Sequence, residues 1–373
     1  MGSGFTQKPG EDHAEVCAIK NALKEYSLSE ISDSTLYVTL EPCFHFGRTP
    51  PCTNFLLKNR IKKVVIAQKD PYHKVAGQSI EFLKNQGVSV KLFSEKEFVK
   101  EKFWSTGSFI YSIRYNRPRI ILKWAQTRGG FLAPAKGKSG YISNEYSRES
   151  VMRFRRIFKN TMAAPGTIQA DMPLLNSRRL PVSLKDAFAS SENQSFLETL
   201  LLRDDNLDKT IIEDKTLRLF LAPKYSNEWK REDEINYINK QKEIAGDFIF
   251  LSTDKKQTEN IKNQNVSSFF VNDFNDFKNI IEILKEKNMR QIMIEAGPVY
   301  SQKLLEEKVP DILLIYKSEN KPEWEKEGRT FEGPRKLAQK NDDYFTRLEY
   351  SLFDVISLMG DTLLVYKGRQ CDA

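Results

Sequence analysis

Two stretches in which strand-like apolar runs alternate with helix-like segments constrain this chain more than any other feature. They are parted by a charged, irregular passage near residue 100. In the first stretch, residues 35–40 (TLYVTL), 63–67 (KVVIA) and 88–93 (VSVKLF) read as strands. Residues 14–26, 53–59 and 78–86 read as helices, the last stopped by Gly87. Alternation of this kind builds βαβ units around a largely parallel sheet. A second α/β pattern opens at 119–124 (RIILKW), with further strands at 217–221, 248–251, 291–295, 312–316, 347–353 and 362–366. Its helices fall at 145–158, 276–287 and 300–307. The expected division is a first domain over 1–104, a linker over 105–117 and a second domain over 118–373. Polar, irregular excursions are expected at 179–216, partly helical at 195–202, and at 223–243.

Composition narrows the class. With 373 residues, 40% of them hydrophobic, the chain can bury real cores, which excludes collagen, low-complexity and small disulfide-scaffold proteins. No apolar run approaches the ~18 residues of a membrane-spanning helix, and residues 1–13 carry no apolar signal-peptide core, so a soluble cytoplasmic protein without a membrane partner is expected. The opening Met1 to Thr6 fits the short N-myristoylation pattern but reads better as the lead into the first helix. The 58 basic and 50 acidic side chains are mixed along the chain. That describes a solvated surface, and beyond it an attraction for phosphate-bearing small molecules rather than nucleic acid.

All three histidines and three of the four cysteines lie within the first 73 residues. His13-Ala14-Glu15 opens a helix, Glu41-Pro42-Cys43 follows a strand, and Cys52 opens the next helix. One imidazole and two thiolates suit a zinc ion that keeps its fourth position for water, and a nearby carboxylate that is not a ligand can shuttle the proton. H-x-E with Pro-Cys and a second Cys is the zinc deaminase signature, with Glu15 as general acid/base. Cys17, one helical turn from His13, could compete as a ligand, but its apolar neighbours favour a buried thiol. His45 and His73 sit beside Gly or Pro loops and could equally hold a loop or touch substrate.

These residues resemble the bifunctional riboflavin-biosynthesis deaminase/reductase family. That family separates its two cysteines by a G-R-T-P-P loop, as Gly47 to Cys52 do here, after Thr39-Leu40-Glu41-Pro42-Cys43 and His45. Asp70-Pro71 and Val75-Ala76-Gly77 match a second family signature. The resemblance implies a cytidine-deaminase-like α/β/α sandwich followed by a dihydrofolate-reductase-like α/β domain. It implies one Zn2+ per chain on His13, Cys43 and Cys52, with Glu15 carrying protons. The implied substrate is a diamino-ribosylaminopyrimidinone 5′-phosphate that loses a ring amine; NADPH then reduces its ribosyl group to ribityl. The family's habit also implies a homo-oligomer.

In the second domain the resemblance implies that Ala125, Tyr141, Thr167, Asp171 and Gly297 meet NADPH. Ser139, Arg155, Leu175, Arg178 and Glu295 would meet substrate, the two arginines suiting a sugar phosphate through their bidentate forks. Gly297 precedes a helix whose N-terminus is a ready anion site. Three departures stand out: Thr127-Arg128-Gly129-Gly130 replaces S-L-D-G, Ala163-Ala164-Pro165-Gly166 replaces the L-V-G segment, and Ala296 replaces the second glycine of E-G-G. The family also has a helix and a strand hairpin before the H-A-E helix. Their absence here leads to the expectation of an N-terminally truncated first domain with a bared sheet edge, and of a misassigned start. Two other functions compete: a degenerate, non-catalytic paralogue that binds a metabolite or partner, and a tRNA-type nucleic-acid deaminase. The second leaves the long cysteine loop and the second domain without a purpose.

Overall fold

The computed structural model describes residues 1–8, 10–72, 76–94, 96–132, 141–178, 180–189, 194–203, 217–319 and 342–371. The chain forms two compact units, Met1–Asn116 and Arg117–Ala373. None of the described helices is long and apolar enough to cross a membrane.

The first unit runs α1 (Ala14–Ala22), α2 (Leu28–Asp33), β1 (Thr35–Val38), α3 (Cys52–Lys58), β2 (Lys63–Ile66), α4 (Gln78–Asn85), β3 (Ser89–Leu92), α5 (Val99–Ser105) and α6 (Gly107–Tyr115). Its sheet has the order β1-β2-β3 and both pairings are parallel, so each crossover carries a helix. Ile19, Ile31, Leu56, Val64, Ile66 and Leu83 make the core. Each such side chain, fully buried, is worth about 1.5–3 kcal/mol in transfer from water. Strand β1 is an edge, with Tyr37 72% exposed. Gly77 caps α4 at φ +83°, a left-handed conformation that a side chain would strain.

The expected linker over 105–117 is a helical segment of the first unit instead. Helices α5 and α6 fill it, Trp104, Ile110 and Tyr111 are buried, and Asn116 ends α6 at φ +52°. Glycine and serines at 105–108 disguised an apolar spacing that only packing makes helical.

The second unit carries a nine-stranded sheet, ordered β11-β12-β10-β4-β9-β5-β6-β7-β8 among the described residues. Here β4 is Arg119–Gln126, β5 Asn160–Ala163, β6 Leu217–Leu221, β7 Phe248–Ser252, β8 Ser267–Phe270, β9 Gln291–Glu295, β10 Ile312–Ser318, β11 Tyr350–Leu358 and β12 Asp361–Gly368. From β10 to β8 every pairing is parallel, and the β11-β12 hairpin adds antiparallel to β10. This is the dihydrofolate-reductase-like arrangement the resemblance implied. Residues along the parallel strands alternate between two cores: Leu219, Leu221, Ile249 and Leu251 join one, Phe220 and Phe250 the other. The hairpin turns at Met359 and Gly360, both with positive φ, as a two-residue turn demands.

Helices α7 (Glu145–Phe158), α8 (Pro165–Asp171), α9 (Leu184–Phe188), α10 (Phe196–Arg203), α11 (Arg231–Lys242), α12 (Lys255–Lys262), α13 (Phe277–Glu286), α14 (Pro298–Glu306) and α15 (Asp342–Arg347) complete it. The polar excursion expected over 223–243 contains α11, which buries Tyr237 and Ile238 against the sheet. Most of its charges lie on the other faces, the buried Glu234 bonding Tyr225 and Gln257, so the polar sequence hid an ordered helix. Within 179–216, α9 and α10 bury Leu184, Phe188, Leu197 and Leu201, and 204–216 lies outside the described residues. Strands β5 and β8 escaped sequence reading because NTMA and SSFF are short and half polar. The strand expected at 347–353 begins at Tyr350, because α15 takes the residues through Arg347.

Candidate functional sites

In the first unit the site is assembled at the ends of three elements. His13 is the N-cap of α1, Cys43 follows β1, and Cys52 is the first residue of α3 behind Pro51. The His13 Nδ1 lies 3.2 Å from Cys52 Sγ and 3.5 Å from Cys43 Sγ, and the three ligand atoms fall within 4.8 Å of one another. Tetrahedral zinc with Zn–N of about 2.0–2.1 Å and Zn–S of about 2.3 Å places nitrogen and sulfur about 3.5 Å apart, so this donor set fits zinc. The backbone N–H of Cys52 donates to Cys43 Sγ at 3.1 Å. Cys43 is drawn down to about 5, first by the hydrogen bond from the Cys52 thiol and further by His13. The Cys52 thiol is pushed up by that shared proton and by burial. A single proton between two thiols is the behaviour of a site made for a cation.

Glu15, in the first turn of α1, is 8% exposed. Burial pushes its carboxyl up, and the neighbouring Cys43 sulfur adds to the rise. A carboxyl whose pKa is raised beside a metal-ligand set, without being one of the three ligands, is equipped to take up and pass on protons. Cys17 is half-buried and faces the Asp12 carbonyl at 3.9 Å, outside the ligand cluster. His45 is exposed, and His73 lies outside the described residues.

In the second unit the candidate residues gather at the carboxyl ends of adjacent parallel strands, where open α/β sheets bind ligands. Register pairs Lys123 of β4 with Glu295 of β9, and Glu295 with Ala163 of β5. Ala125 ends β4 two residues later, half-buried. The N-caps of α8 and α14, Ala164 and Gly297, have no side-chain cap, so both helices leave first-turn N–H groups at this edge. Gly297 N donates to Thr167 Oγ1 at 3.1 Å and ties the two helix starts together. Two uncapped helix N-termini fit the pyrophosphate of a dinucleotide.

Arg155 on α7 differs from expectation. Its Nε donates to Glu295 at 2.7 Å and a terminal nitrogen to the Asn176 carbonyl at 2.7 Å, with the residue 8% exposed. Two of its nitrogens are therefore committed, one to Glu295 and one to the Asn176 carbonyl. Lys123, which sequence reading passed over, completes the cluster at 3.8 Å from Glu295. Burial drives its ammonium down, against the pull of Glu295. Glu295 stays below the ordinary carboxylate range: burial raises it, but Arg155 and Lys123 outweigh that. A lysine inside an otherwise apolar strand was the available signal.

Leu175 also departs from its expected substrate contact. Its side chain is 1% exposed and packs in the core, on a left-handed backbone with φ +50°. Arg178 is exposed, on a segment pinned by Arg156 to the Ser177 carbonyl at 2.6 Å and by Glu149 accepting from Leu180 N at 2.9 Å. Asp171 ends α8 exposed. Tyr141 is 74% exposed with the Arg148 guanidinium 4.2 Å above its ring, and Ser139 lies outside the described residues. The altered Thr127 to Gly130 turn closes itself, Thr127 Oγ1 accepting from Phe131 N at 3.2 Å.

The profile of the cytidine and deoxycytidylate deaminase zinc-binding region matches residues 1–68, and that of the RibD C-terminal domain matches residues 118–318. The riboflavin biosynthesis protein RibD of Aquifex aeolicus is 31% identical over 316 residues, spanning 85% of this chain and 76% of that protein. The corresponding protein of Buchnera aphidicola is 29% identical over 85% of this chain and 77% of its own length. Among solved structures, Acinetobacter baumannii RibD superposes with a TM-score of 0.66 at 25% identity, covering 98% of this chain and 88% of that one. A Thermotoga maritima diaminohydroxyphosphoribosylaminopyrimidine deaminase/5-amino-6-(5-phosphoribosylamino)uracil reductase shares the fold at 22% identity and TM-score 0.66, covering 96% of this chain and 86% of that one. A deaminase-type zinc cluster in one unit, a reductase-type sheet in the other and relatives that span both mean that this chain belongs to the RibD family of bifunctional riboflavin-biosynthesis deaminase/reductases.

Proposed function

We propose that the first unit hydrolyses an amine from a phosphoribosylated diaminopyrimidine and that the second reduces the ribosyl group of the product to ribityl. The observation that carries this reading is the convergence of His13, Cys43 and Cys52 on one point with Glu15 buried beside them. Zinc on those three ligands supplies an acidified water. Glu15 takes a proton from the attacking water and returns it to the departing nitrogen, so that one C–N bond breaks, one C–O bond forms and ammonia leaves. We assign the pyrimidine's polar edge to Asp70, which follows β2, and to His45, exposed in the loop between the two cysteines.

For the second step, the N-termini of α8 and α14, tied by Gly297 and Thr167, would hold NADPH, which would supply a hydride to the ribosyl carbon. The bond from that carbon to the ring oxygen opens, and the oxygen takes up a proton. We assign ribose orientation to Glu295 and Lys123, with Lys123 the group readiest to give up a proton, because its burial lowers the cost of losing it. Arg178 meets the phosphate, Arg155 positions Glu295, and Ala125, Tyr141, Thr167, Asp171 and Gly297 border the cofactor. Free thiols at a metal centre suit the reducing cytoplasm. Self-association is part of the reading, and light scattering on the purified chain tests it.

The deciding experiment uses purified protein. Zinc near one per chain, ammonia release from the diaminopyrimidine phosphate, and NADPH oxidation with the deaminated product are expected. A chain that holds zinc but performs neither reaction overturns the assignment in favour of a non-catalytic binder.

A further inference from the structure

Glu41 lies two residues before Cys43 and is 5% exposed. Its carboxylate accepts four hydrogen bonds. Oε2 receives Asp70 N at 3.2 Å and Gly77 N at 2.8 Å, while Oε1 receives Ser79 N at 3.2 Å and Ser79 Oγ at 2.8 Å. The backbone adds a fifth tie, Glu41 N to Gln68 O at 2.9 Å. A buried carboxylate is costly unless its lone pairs are satisfied, and here, among the described residues, the bonds that satisfy it come from Asp70 just past β2, from the Gly77 cap of α4 and from Ser79 in its first turn.

The placement has a consequence for the reaction. Strands β1 and β2 are parallel neighbours, so Glu41 and Asp70 both emerge at the carboxyl edge of the sheet. The segment that starts at Glu41 goes on to Cys43 and His45. Gly77 caps α4 with a left-handed φ of +83°. One carboxylate thus ties Asp70, just past β2, and the start of α4 to the segment that supplies a metal ligand. The Asp70 side chain is occupied locally, accepting Tyr72 N at 2.8 Å.

We propose that Glu41 is a positioning residue of the deaminase. It does not touch zinc or the reacting atoms; it sets the distance and angle between the cysteine loop and two neighbours, Asp70 at the end of β2 and the N-terminus of α4. This rests on the deaminase reading above. Its signature is therefore a defect in substrate binding, with metal binding and the second unit's chemistry intact.

Glu41→Gln keeps the shape but turns one acceptor oxygen into a donor that faces donors, so about half of the clasp is lost. Glu41→Ala loses all of it. In the zinc-loaded full chain, KM for the diaminopyrimidine phosphate is expected to rise about tenfold for Glu41→Gln, the worth of one charge-assisted hydrogen bond, and further for Glu41→Ala. The expected kcat stays within a few-fold, zinc remains near one per chain, and NADPH oxidation is unchanged. Amide exchange at Asp70, Gly77 and Ser79 speeds up in both variants while that of β2 stays slow, a readout independent of activity. Should Glu41→Ala fail to fold, Ser79→Ala, which removes one donor, is expected to show the same KM defect in weaker form. Unchanged KM and exchange in Glu41→Gln, or a parallel loss of zinc and kcat, overturns the positioning role. Absence of ammonia release in the unaltered protein, with the exchange difference present, sinks the deaminase reading and leaves the clasp standing.

Discussion

In Met1–Asn116 the chemistry rests on residue types the chain hardly uses elsewhere, one of three histidines and two of four cysteines. In Arg117–Ala373 the proposed chemistry is assigned to Lys123, Glu295, Arg155, Thr167 and Gly297, types found throughout the molecule. The difference follows from what each step asks of the protein. Binding zinc requires soft and imidazole donors, which few side chains supply. Holding a cofactor and a sugar requires backbone N–H groups and charges in the right places, which any α/β sheet can supply once its strands are ordered.

The comparison breaks most sharply at Glu15. Glu15→Gln should lower ammonia release by on the order of 10²–10⁴-fold, the span of general acid/base catalysis, with zinc retained and NADPH oxidation untouched. Metal analysis and the two assays on one preparation check this. Loss of zinc along with activity would make Glu15 a structural partner of the ligand set instead.

In the second unit, Glu295→Gln should remove reduction and also destabilise the fold. It leaves Arg155 and Lys123 buried without their anion, a loss of about 3–5 kcal/mol when one partner of a buried pair is removed. Urea unfolding of the full chain, together with NADPH oxidation, measures both effects, and ammonia release serves as the internal control. A stable Glu295→Gln protein that still reduces its substrate would separate the ion cluster from the chemistry.

Acid tests the same cluster. Because Arg155 and Lys123 hold Glu295 below the ordinary carboxylate range, its contribution to stability is complete above the unfolded value of about 4.3. It is lost as pH falls through the lower folded value. The urea midpoint of the second unit should therefore drop below about pH 4.5 more steeply in the unaltered protein than in Glu295→Gln. Parallel profiles would count against the pairing. The smallest effect is expected from Thr167→Val, which deprives Gly297 N of its acceptor, worth about 1 kcal/mol. A several-fold rise in KM for NADPH with little change in kcat is the expected outcome.

Much of the molecule was legible in residue order. Parallel strands buried on both faces are continuous apolar runs, which is why 217–221 and 291–295 coincide with β6 and β9. Helix α7 likewise shows in full, its start marked by the Asn144 cap. What escaped was structure whose local signal contradicts its environment. Helices α6 and α11 look like linker and polar excursion because their apolar stripes are narrow. The neighbours of Arg155, Leu175 and Lys123 escaped for a similar reason: a charge or an apolar side chain has no direction until its neighbours are set. Arg155 was read as a fork for phosphate and is held by Glu295, 140 residues away along the chain.

Sequence alone picked out His13, Cys43 and Cys52, which the fold gathers into one cluster, and the two-unit α/β plan, because scarce donor types and apolar periodicity are local properties. The tertiary structure alone decided that Glu41 accepts from Asp70, Gly77 and Ser79, that Lys123 and Arg155 share Glu295, and that two uncapped helix starts meet at Thr167 and Gly297. Each of these contacts joins residues on different strands or helices, and strand order, which residue order does not spell out, is what brings them within hydrogen-bonding distance.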